Sequence, residues 1–336
     1  MIVKKDVKKD LDLDFGKIGG TAISAIVGLN PWETALSTYL KIRGEVGATP
    51  DNVAMARGRR YEPVVASIFQ AGRPEFRVEC NRRKTDEPEL YVHGEHEFLI
   101  GRPDRLLYDS SGEKLLAGLE IKTANVANMR VWGAEGTDDV PKHYLLQCQW
   151  YAGLAGLDDW RLAVAFLDSE GAMRTYREYQ IAFDAELYDA LVESAVDFWE
   201  NYVVPGNPPE MERADSTTQR WVAERFPANV APIERATDAE EALMREYLDA
   251  KNAKLEAEAA LEQVETRLKL AIGERDGIFS DNYGKVTWKR CKDSRRVDYR
   301  AVVDELKPSA ETLERFAKTI PGVRRFETKS LKYADA

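Results

Sequence analysis

Two apolar segments separated by a polar turn constrain the fold of this chain more than any other feature. Residues 98–108 (FLIGRPDRLLY) and 115–123 (LLAGLEIKT) are strand-like, and the DSSGEK segment between them is rich in turn-forming residues. The sequence therefore predicts an antiparallel hairpin. Charged residues interrupt both apolar strands, although buried strands rarely carry charges without a partner or a function.

The turn also predicts the register of this hairpin. If it centres on Gly112, then Asp104 faces Glu120, and directly opposed residues project to one face with Cβ atoms about 5 Å apart. Lys122 shares that face, whereas Ile121 points the other way. Two carboxylates and an ammonium group therefore converge, and a divalent cation would relieve the repulsion between the carboxylates. Taken alone, this pattern also fits a solvated hairpin face with one salt bridge.

Two further segments place polar residues among apolar ones. Glu62 belongs to the sequence GRRYE in a helix predicted over residues 51–71. Gln147 and Gln149 belong to the sequence YLLQCQ in a helix predicted over residues 141–156. Either segment by itself is typical of a structural polar residue, so their meaning depends on the order in which they accompany the hairpin.

Four short motifs, taken in order, resemble the YqaJ-type viral recombinase family, to which phage lambda exonuclease is related, within the PD-(D/E)xK nuclease superfamily. They are G-x-x-Y-E ending at Glu62, R-P-D ending at Asp104, E-I-K over residues 120–122, and Y-x-x-Q-x-Q over residues 144–149. The segment GGTAISAIVGLNPWETALSTYLKIRGE also resembles the opening helices of that family. The resemblance covers about residues 15–200, and the four motifs are jointly specific.

The resemblance implies an α/β (α+β) fold with a restriction-endonuclease-like core, in which helices flank a mixed central β-sheet. It also implies a metal-dependent exonuclease that digests linear double-stranded DNA from 5′ to 3′. The 3′ single-stranded tails would serve single-strand annealing in phage-type recombination. A ring-shaped homotrimer and a partner annealing protein are implied as well. The alternatives are a structure- or site-specific DNA endonuclease of the same fold and a catalytically inactive DNA-binding module.

The same resemblance implies a catalytic centre with two Mg²⁺ ions, for which Mn²⁺ would substitute. The implied metal ligands are Asp104, Glu120, the main-chain carbonyl of Ile121 and, for the second ion, Glu62. Lys122 would position the attacking water and help to deprotonate it. Gln147 would hold that water or a metal ligand from the helix side.

The implied contacts with the DNA end depart from the family pattern. The family's arginine and serine for the terminal 5′-phosphate align with Lys17 and Ser24. Lysine is a point charge without the bidentate grip of arginine, so a solvated loop lysine is the other interpretation of Lys17. Arg105 occupies a position at which the family often has glycine. Its side chain either contacts the DNA backbone or is a surface side chain without a function.

A change in composition predicts two domains, residues 1–208 and residues 209–336. Residues 238–276 predict a long helix with a heptad-like apolar seam, packed either on its own chain or in an intermolecular coiled coil. Residues 285–332 contain fourteen Lys/Arg and seven Asp/Glu, a net charge of +7. This basic segment either folds back on the acidic helix or extends a DNA-binding surface, through Lys289, Arg290, Lys292, Arg295 and Arg296.

Composition excludes few functions. The net charge of −10 argues only mildly against DNA binding, since docking uses one surface of a protein. Three scattered cysteines predict neither a disulfide framework nor a zinc or iron–sulfur site. The sequence has no run of about 18 apolar residues and no apolar signal-peptide core. We therefore expect a cytoplasmic protein without a membrane association, and the resemblance implies a phage or prophage product in a bacterial host.

Overall fold

The computed structural model divides into two compact units, Met1–Arg225 and Phe226–Ala336. The described residues are 3–4 (backbone only), 16–47, 49–81, 90–293, 295, 297–319, 324–328 and 331–332, so Arg296 of the predicted basic segment lies outside them. The first unit extends beyond the predicted boundary at residue 208. The reason is that Thr34 Oγ1 donates a hydrogen bond to Asp215 Oδ2 (3.0 Å), and Arg213 also bonds to residues of this unit.

The first unit contains helices on both sides of a sheet. Its helices are α1 (Gly20–Ile26), α2 (Ala35–Ile42), α3 (Val53–Gly72), α4 (Lys142–Ala155), α5 (Ala185–Phe198) and α6 (Ser216–Arg225). Its strands are β1 (Val3–Lys4), β2 (Phe76–Cys80), β3 (Tyr91–Val92), β4 (Ile100–Gly101), β5 (Arg105–Asp109), β6 (Leu115–Asn125), β7 (Asp159–Leu167) and β8 (Met173–Ala182). A 3₁₀ turn (Val126–Val131) follows β6, and a π-helical turn (Trp199–Val203) follows α5.

Five strands form the central sheet in the order β2-β5-β6-β7-β8. β6 and β7 are parallel, whereas the other neighbouring pairs are antiparallel. A parallel pair needs a crossover connection, and the chain segment that contains α4 provides it. The sheet is therefore mixed and flanked by helices, as the sequence predicts.

The hairpin has the predicted register at the end farther from its turn. Arg105 pairs with Leu119 and Leu106 with Gly118, which is the register that centres the turn on Gly112. A bulge after this stretch shifts the pairing nearer the turn. Gly118 lies under the indole of Trp160, since a Cβ atom there would come within 2.2 Å of that ring. This close approach leaves room for no other residue at position 118.

The predicted strand over residues 98–108 is divided into two strands. β4 ends at Gly101 and β5 begins at Arg105, and Pro103 between them has no N–H to donate to a ladder. Asn81 Nδ2 donates to the carbonyl oxygen of Pro103 at 3.0 Å and holds this connection in place. Asp104 therefore lies in a short, fixed loop at the start of β5.

Each face of the sheet packs against different helices. Val65 and Phe69 of α3 pack with Leu119 and Ile121 of β6 on one face. On the other face the core includes the fully buried Trp150 of α4 and residues of α1, α2 and α5. Because successive strand residues alternate between faces, residues 120 and 122 of β6 face α4. Charged side chains on β6 are thus directed at a buried helix.

The second unit contains α7 (Asp238–Ile272), β9 (Gly277–Ser280), β10 (Gly284–Thr287), α8 (Tyr299–Leu306) and α9 (Ala310–Glu314). α7 is the predicted long helix, and it begins with a capping box between Thr237 and Glu240. Its apolar seam is mostly exposed, with Leu243 at 65% and Leu261 at 60%.

The described part of the C-terminal tail returns to α7. Phe326 packs edge-on against Tyr247 with 5.6 Å between ring centroids. Arg324 Nη1 donates to the carbonyl oxygen of Phe226 at 3.3 Å. These contacts fit the interpretation in which the tail folds back on the long helix. Among the helices in the described ranges, none has the length and apolar character that a membrane crossing requires.

Candidate catalytic site

Asp104 immediately precedes β5, and its side chain is bonded to the neighbouring strand β6. Its Oδ2 accepts a hydrogen bond from the backbone N–H of Ile121 at 2.9 Å, so the carboxylate continues the ladder beyond Arg105. Burial raises the pKa of the Asp104 carboxyl, against the opposing effects of the Lys122 charge and of that hydrogen bond. The sequence prediction that Asp104 stands beside residues 120–122 is therefore confirmed by the contacts of its side chain.

Glu120 is a buried carboxylate with one unsatisfied oxygen. Its exposed fraction is 2%, and Lys122 Nζ donates to its Oε1. Its Oε2 is buried and has no hydrogen-bond partner among the described residues. Burial, then the nearby Asp104, raise the pKa of Glu120 to about 8, although Lys122 opposes this shift. An oxygen in this state is costly unless a proton or a cation satisfies it.

Lys122 is held between the carboxylates and an aromatic ring. Burial lowers the pKa of this lysine, but the carboxylates of Glu120 and Asp104 outweigh burial and raise it above its usual range. Its Nζ also lies 5.5 Å from the ring centroid of Tyr144, which is a cation–π distance. Lys122 is therefore charged at neutral pH.

Arg105 and Glu62 form a pair on the face of the sheet that α3 covers. Arg105 shares the face of Leu107, two residues further along β5. Its Nη1 donates to Glu62 Oε1 at 2.6 Å and to the carbonyl oxygen of Asp104 at 2.6 Å. The Arg105 side chain is only 11% exposed, so it is not a solvent-exposed side chain on the surface of the strand. Glu62 is directed at Arg105, and an ion bound by Glu62 would compete with this pair.

The two glutamines of the α4 motif have different roles. Gln147 is buried, and its Nε2 donates to the hydroxyl of Tyr151 at 3.1 Å. Gln149 Nε2 donates to the carbonyl oxygen of Ala182 at 2.8 Å, and its Oε1 accepts from the N–H of Asp184 at 2.9 Å. Residues two apart on a helix do not share a face. Gln149 therefore ties α4 to the end of β8, which leaves Gln147 as the candidate for the site.

The two residues predicted to bind the terminal 5′-phosphate, Lys17 and Ser24, have different surroundings: Lys17 lines a cavity and Ser24 is buried. Lys17 lines a cavity of about 310 Å³, together with Lys41 and Arg102. Ser24 is 1% exposed; its hydroxyl donates to the carbonyl oxygen of Thr21 at 2.9 Å and accepts from Asn30 Nδ2 at 3.1 Å. The hydroxyl proton of Ser24 is thus engaged within the protein, and phosphate binding by Ser24 stays a prediction that requires this hydrogen bond to break.

The oxygen donors beside Lys122 meet the needs of a divalent ion only in part. Within the ranges described above, no three His, Cys, Asp or Glu side chains are grouped as a metal ion requires. The first of the two predicted ion sites needs two carboxylates, from Asp104 and Glu120, and the carbonyl oxygen of Ile121, whereas the second also needs Glu62. Oxygen donors suit Mg²⁺ and Mn²⁺, and the unsatisfied Oε2 of Glu120 fits a cation. Glu62 does not complete this set in the present arrangement.

The sequence motifs include Tyr144, but sequence reasoning missed the other aromatic side chains that continue from it, Trp132, His143 and Trp32. The ring of Tyr144 lies 5.5 Å from Trp132 and 4.0 Å from His143, and His143 lies 4.9 Å from Trp32. Burial, then the charge of Lys122, lower the pKa of His143 to about 4. The sequence signals the neighbourhood on α4, where residues 144, 147 and 151 share a helical face. No local pattern signals the approach of Trp32 from a distant loop.

Comparison with known sequences agrees with the motifs. Residues 11–158 match the family profile described as the YqaJ-like viral recombinase domain, and these residues include all four motifs. The chain is also 26% identical over 291 residues to the uncharacterized protein YqaJ of Bacillus subtilis, covering 86% of this chain and 84% of that protein. The predicted family resemblance is confirmed. Since the first unit ends at residue 225, a match of 291 residues extends into the second unit.

Solved structures similar to the chain include two exonucleases. An alkaline exonuclease from Laribacter hongkongensis is 16% identical with a TM-score of 0.42, covering 56% of this chain and 88% of that one. A phage-related exonuclease from Haemophilus somnus is 18% identical with a TM-score of 0.36, covering 59% of this chain and 88% of that one. The fold of the first unit follows from the strand order and the helices of the chain itself.

Proposed function

We propose that the chain is a metal-dependent nuclease that digests linear double-stranded DNA from its ends, in the 5′-to-3′ direction. The 3′ single-stranded tails would pass to an annealing protein in phage-type recombination. The observation that carries the proposal is the buried Glu120, whose free oxygen lies in a cluster with Asp104 and Lys122. The family match over residues 11–158 supports DNA processing as the setting of this cluster.

The proposed cofactor is Mg²⁺, with Mn²⁺ as a substitute, held by Asp104, Glu120 and the carbonyl oxygen of Ile121. When bound, such ions supply a coordinated water of lowered pKa and stabilise the charge on the leaving 3′ oxygen. A second ion at Glu62 requires the pair with Arg105 to open, because the guanidinium bonds to that carboxylate at 2.6 Å.

Lys122 and Gln147 are proposed to act on the attacking water. The charged Lys122 is a hydrogen-bond donor that orients this water and the negatively charged phosphate. Its proposed help in deprotonation depends on neutralisation of Glu120 and Asp104, since burial alone lowers the pKa of the lysine. Gln147 is fixed by Tyr151 and has a second amide proton and a carbonyl oxygen to offer from α4.

The cavity lined by Lys17 is the proposed site for the terminal 5′-phosphate. Lys41 and Arg102 line the same cavity, and so does Glu33, whose carboxylate pairs with Lys41, so Lys17 and Arg102 are the cations proposed to meet the phosphate. Lys17→Ala should reduce the preference for a 5′-phosphorylated end over a 5′-hydroxyl end more than it reduces the rate on hydroxyl ends. Equal digestion of both ends by the wild type would remove the basis for this assignment.

A ring-shaped homotrimer is the proposed assembly, and it follows from the family resemblance alone. Ring closure needs head-to-tail interfaces between copies. Mass photometry of the purified chain measures its assembly directly, and a stable monomer or dimer at working concentrations would exclude the ring.

Digestion of three DNA substrates tests the proposed activity. Linear duplexes labelled at the 5′ or 3′ end and a closed circular plasmid are incubated with Mg²⁺ or with EDTA. We expect Mg²⁺-dependent loss of the linear duplexes, early release of the 5′ label and an intact circle. Glu120→Gln is the matched control and should be inactive. Cleavage of the circle would favour the endonuclease alternative, and no digestion with either Mg²⁺ or Mn²⁺ would overturn the nuclease proposal.

A further inference from the structure

The loop before α2 presents a tryptophan to solvent from a well-supported backbone. The Trp32 side chain is 58% exposed. The backbone N–H groups of Trp32 and Glu33 both donate to Asn30 Oδ1, at 2.9 and 3.0 Å. Asn30 is itself 4% exposed, and its Nδ2 donates to the buried Ser24. The loop is thus anchored in the core of the first unit.

Arg213 holds the same loop from the other side. Its guanidinium donates to the carbonyl oxygens of Asn30 (2.5 Å), Pro31 (2.7 Å) and Glu33 (2.9 Å). Three of four consecutive carbonyl groups are therefore bonded to one cation. The exposure of Trp32 follows from a fixed backbone and not from a loosely held loop.

Trp32 contacts His143 and Tyr144, and Tyr144 in turn contacts Lys122. The Trp32 ring is edge-on to His143 at 4.9 Å and lies 6.3 Å from the ring of Tyr144. Tyr144 in turn lies 5.5 Å from Lys122 Nζ. A pKa of about 4 keeps His143 neutral at neutral pH, so an uncharged aromatic surface leads from solvent to the candidate catalytic lysine.

A single exposed apolar side chain often has no function, since folded proteins expose many of them. Trp32 differs from such residues in its hydrogen-bonded backbone and in the aromatic rings, His143 and Tyr144, that connect it to Lys122. Aromatic side chains bind single-stranded nucleic acids because every base has a face on which a ring can stack. This recognition tolerates any sequence, which suits an enzyme that degrades a whole strand.

We infer that Trp32 is a stacking surface for a base at the end of the DNA, which places the terminal nucleotide near Lys122. This inference rests on the proposed nuclease function and names the part of the substrate that the loop contacts. Stacking on Trp32 adds no covalent step. It positions the strand while the carboxylates and Lys122 serve the phosphodiester.

The test is a binding measurement on the full chain in EDTA, where hydrolysis does not interfere. Short duplexes carry 2-aminopurine either at the terminal nucleotide or about ten base pairs inside. We expect the wild type to quench the terminal probe and to leave the internal probe nearly unchanged. Trp32→Ala should remove the terminal quench and weaken binding about 10- to 100-fold, within the range of base–aromatic stacking. Trp32→Phe keeps a ring and should retain most of both.

Leu29→Ala is the matched control, because Leu29 lies in the same loop, is 42% exposed and has no ring. It should bind DNA as the wild type does. Unchanged affinity and unchanged terminal quench in Trp32→Ala would overturn the inference. Loss of the oligomeric state in Trp32→Ala with the quench retained would also overturn it and would assign Trp32 to an interface between copies.

The outcomes separate this inference from the nuclease proposal. A wild type that digests no DNA, but whose terminal quench depends on Trp32, supports the stacking surface and contradicts the nuclease. An active wild type whose Trp32→Ala variant binds and digests equally well contradicts the stacking surface alone.

Discussion

Replacement of His143 by phenylalanine tests the electrostatic setting around Lys122. The pKa of His143 is lowered from an ordinary 6.5 to about 4, first by burial and then by the charge of Lys122. The folded protein therefore favours the neutral ring. Above pH 6.5 the ring is neutral in both folded and unfolded chains, and its stabilising contribution is complete. As the pH falls from 6.5 towards 4, the unfolded chain takes up the proton first and this contribution is lost.

The two pKa values set the size of the effect. At pH 5 the unfolded histidine is mostly protonated and the folded one mostly neutral, which corresponds to about 2 kcal/mol at about 1.4 kcal/mol per pH unit. Because His143 is only partly buried, solvent screening reduces this to about 1 kcal/mol. For a unit of this length, that free energy shifts the unfolding temperature by about 2–4 °C.

Thermal unfolding of the wild type and of His143→Phe at pH 7.5 and pH 5, both in EDTA, measures the difference. The variant should lose about 2–4 °C less than the wild type between the two pH values. The other two histidines are present in both proteins, so their contributions cancel in the comparison. Phenylalanine also removes Nε2, which is buried without a hydrogen-bond partner among the described residues, so a constant gain in stability at both pH values is expected. Equal losses on acidification would refute a neutral His143 in the folded protein.

Three further changes test the site and the second unit. Lys122→Ala should lower the cleavage rate at least about a hundredfold with its circular dichroism unchanged; a rate within about threefold of wild type would exclude the proposed role. Arg105→Gly should release Glu62 and remove a cation beside Asp104, so calorimetry with Ca²⁺ should show binding tighter by up to about tenfold, and an unchanged Kd would contradict this competition. Truncation after Arg225 should flatten the salt dependence of DNA binding by about 0.9 in the log–log slope for each phosphate that the second unit neutralises, whereas an unchanged slope in a folded truncation would exclude the basic segment from DNA binding.

The hairpin is predictable because its determinants are local. Turn chemistry around Gly112 and the alternation of strand residues give both the register and the shared face of Glu120 and Lys122. The division of the first strand into β4 and β5 is not predicted. Pro103 is the sequence signal for it, because a residue without an N–H cannot donate to the strand ladder. The sequence therefore predicts the centre of the site better than its edges.

Side chains that meet across long stretches of chain are harder to predict. The sequence predicts that Arg105 touches DNA or solvent, but α3 brings Glu62 to it from 43 residues earlier. Trp32 contacts His143 because two segments far apart in the sequence pack together. Neither segment has a sequence pattern that predicts this contact. The predicted role of Ser24 depends on alignment alone, and its hydroxyl proton is used by its own helix.

The position of β6 in the sheet determines which unfolding events can disrupt the arrangement of Glu120 and Lys122. β6 lies third of five strands, with β5 on one side and β7 on the other, and it carries Glu120 and Lys122. An interior strand exchanges its amide hydrogens chiefly through global opening, whereas loops exchange through local fluctuations. Amides of β6 should therefore be among the slowest in the first unit to take up deuterium. We therefore expect Glu120 and Lys122 to lose their arrangement only when the cooperative unit that contains β6 unfolds.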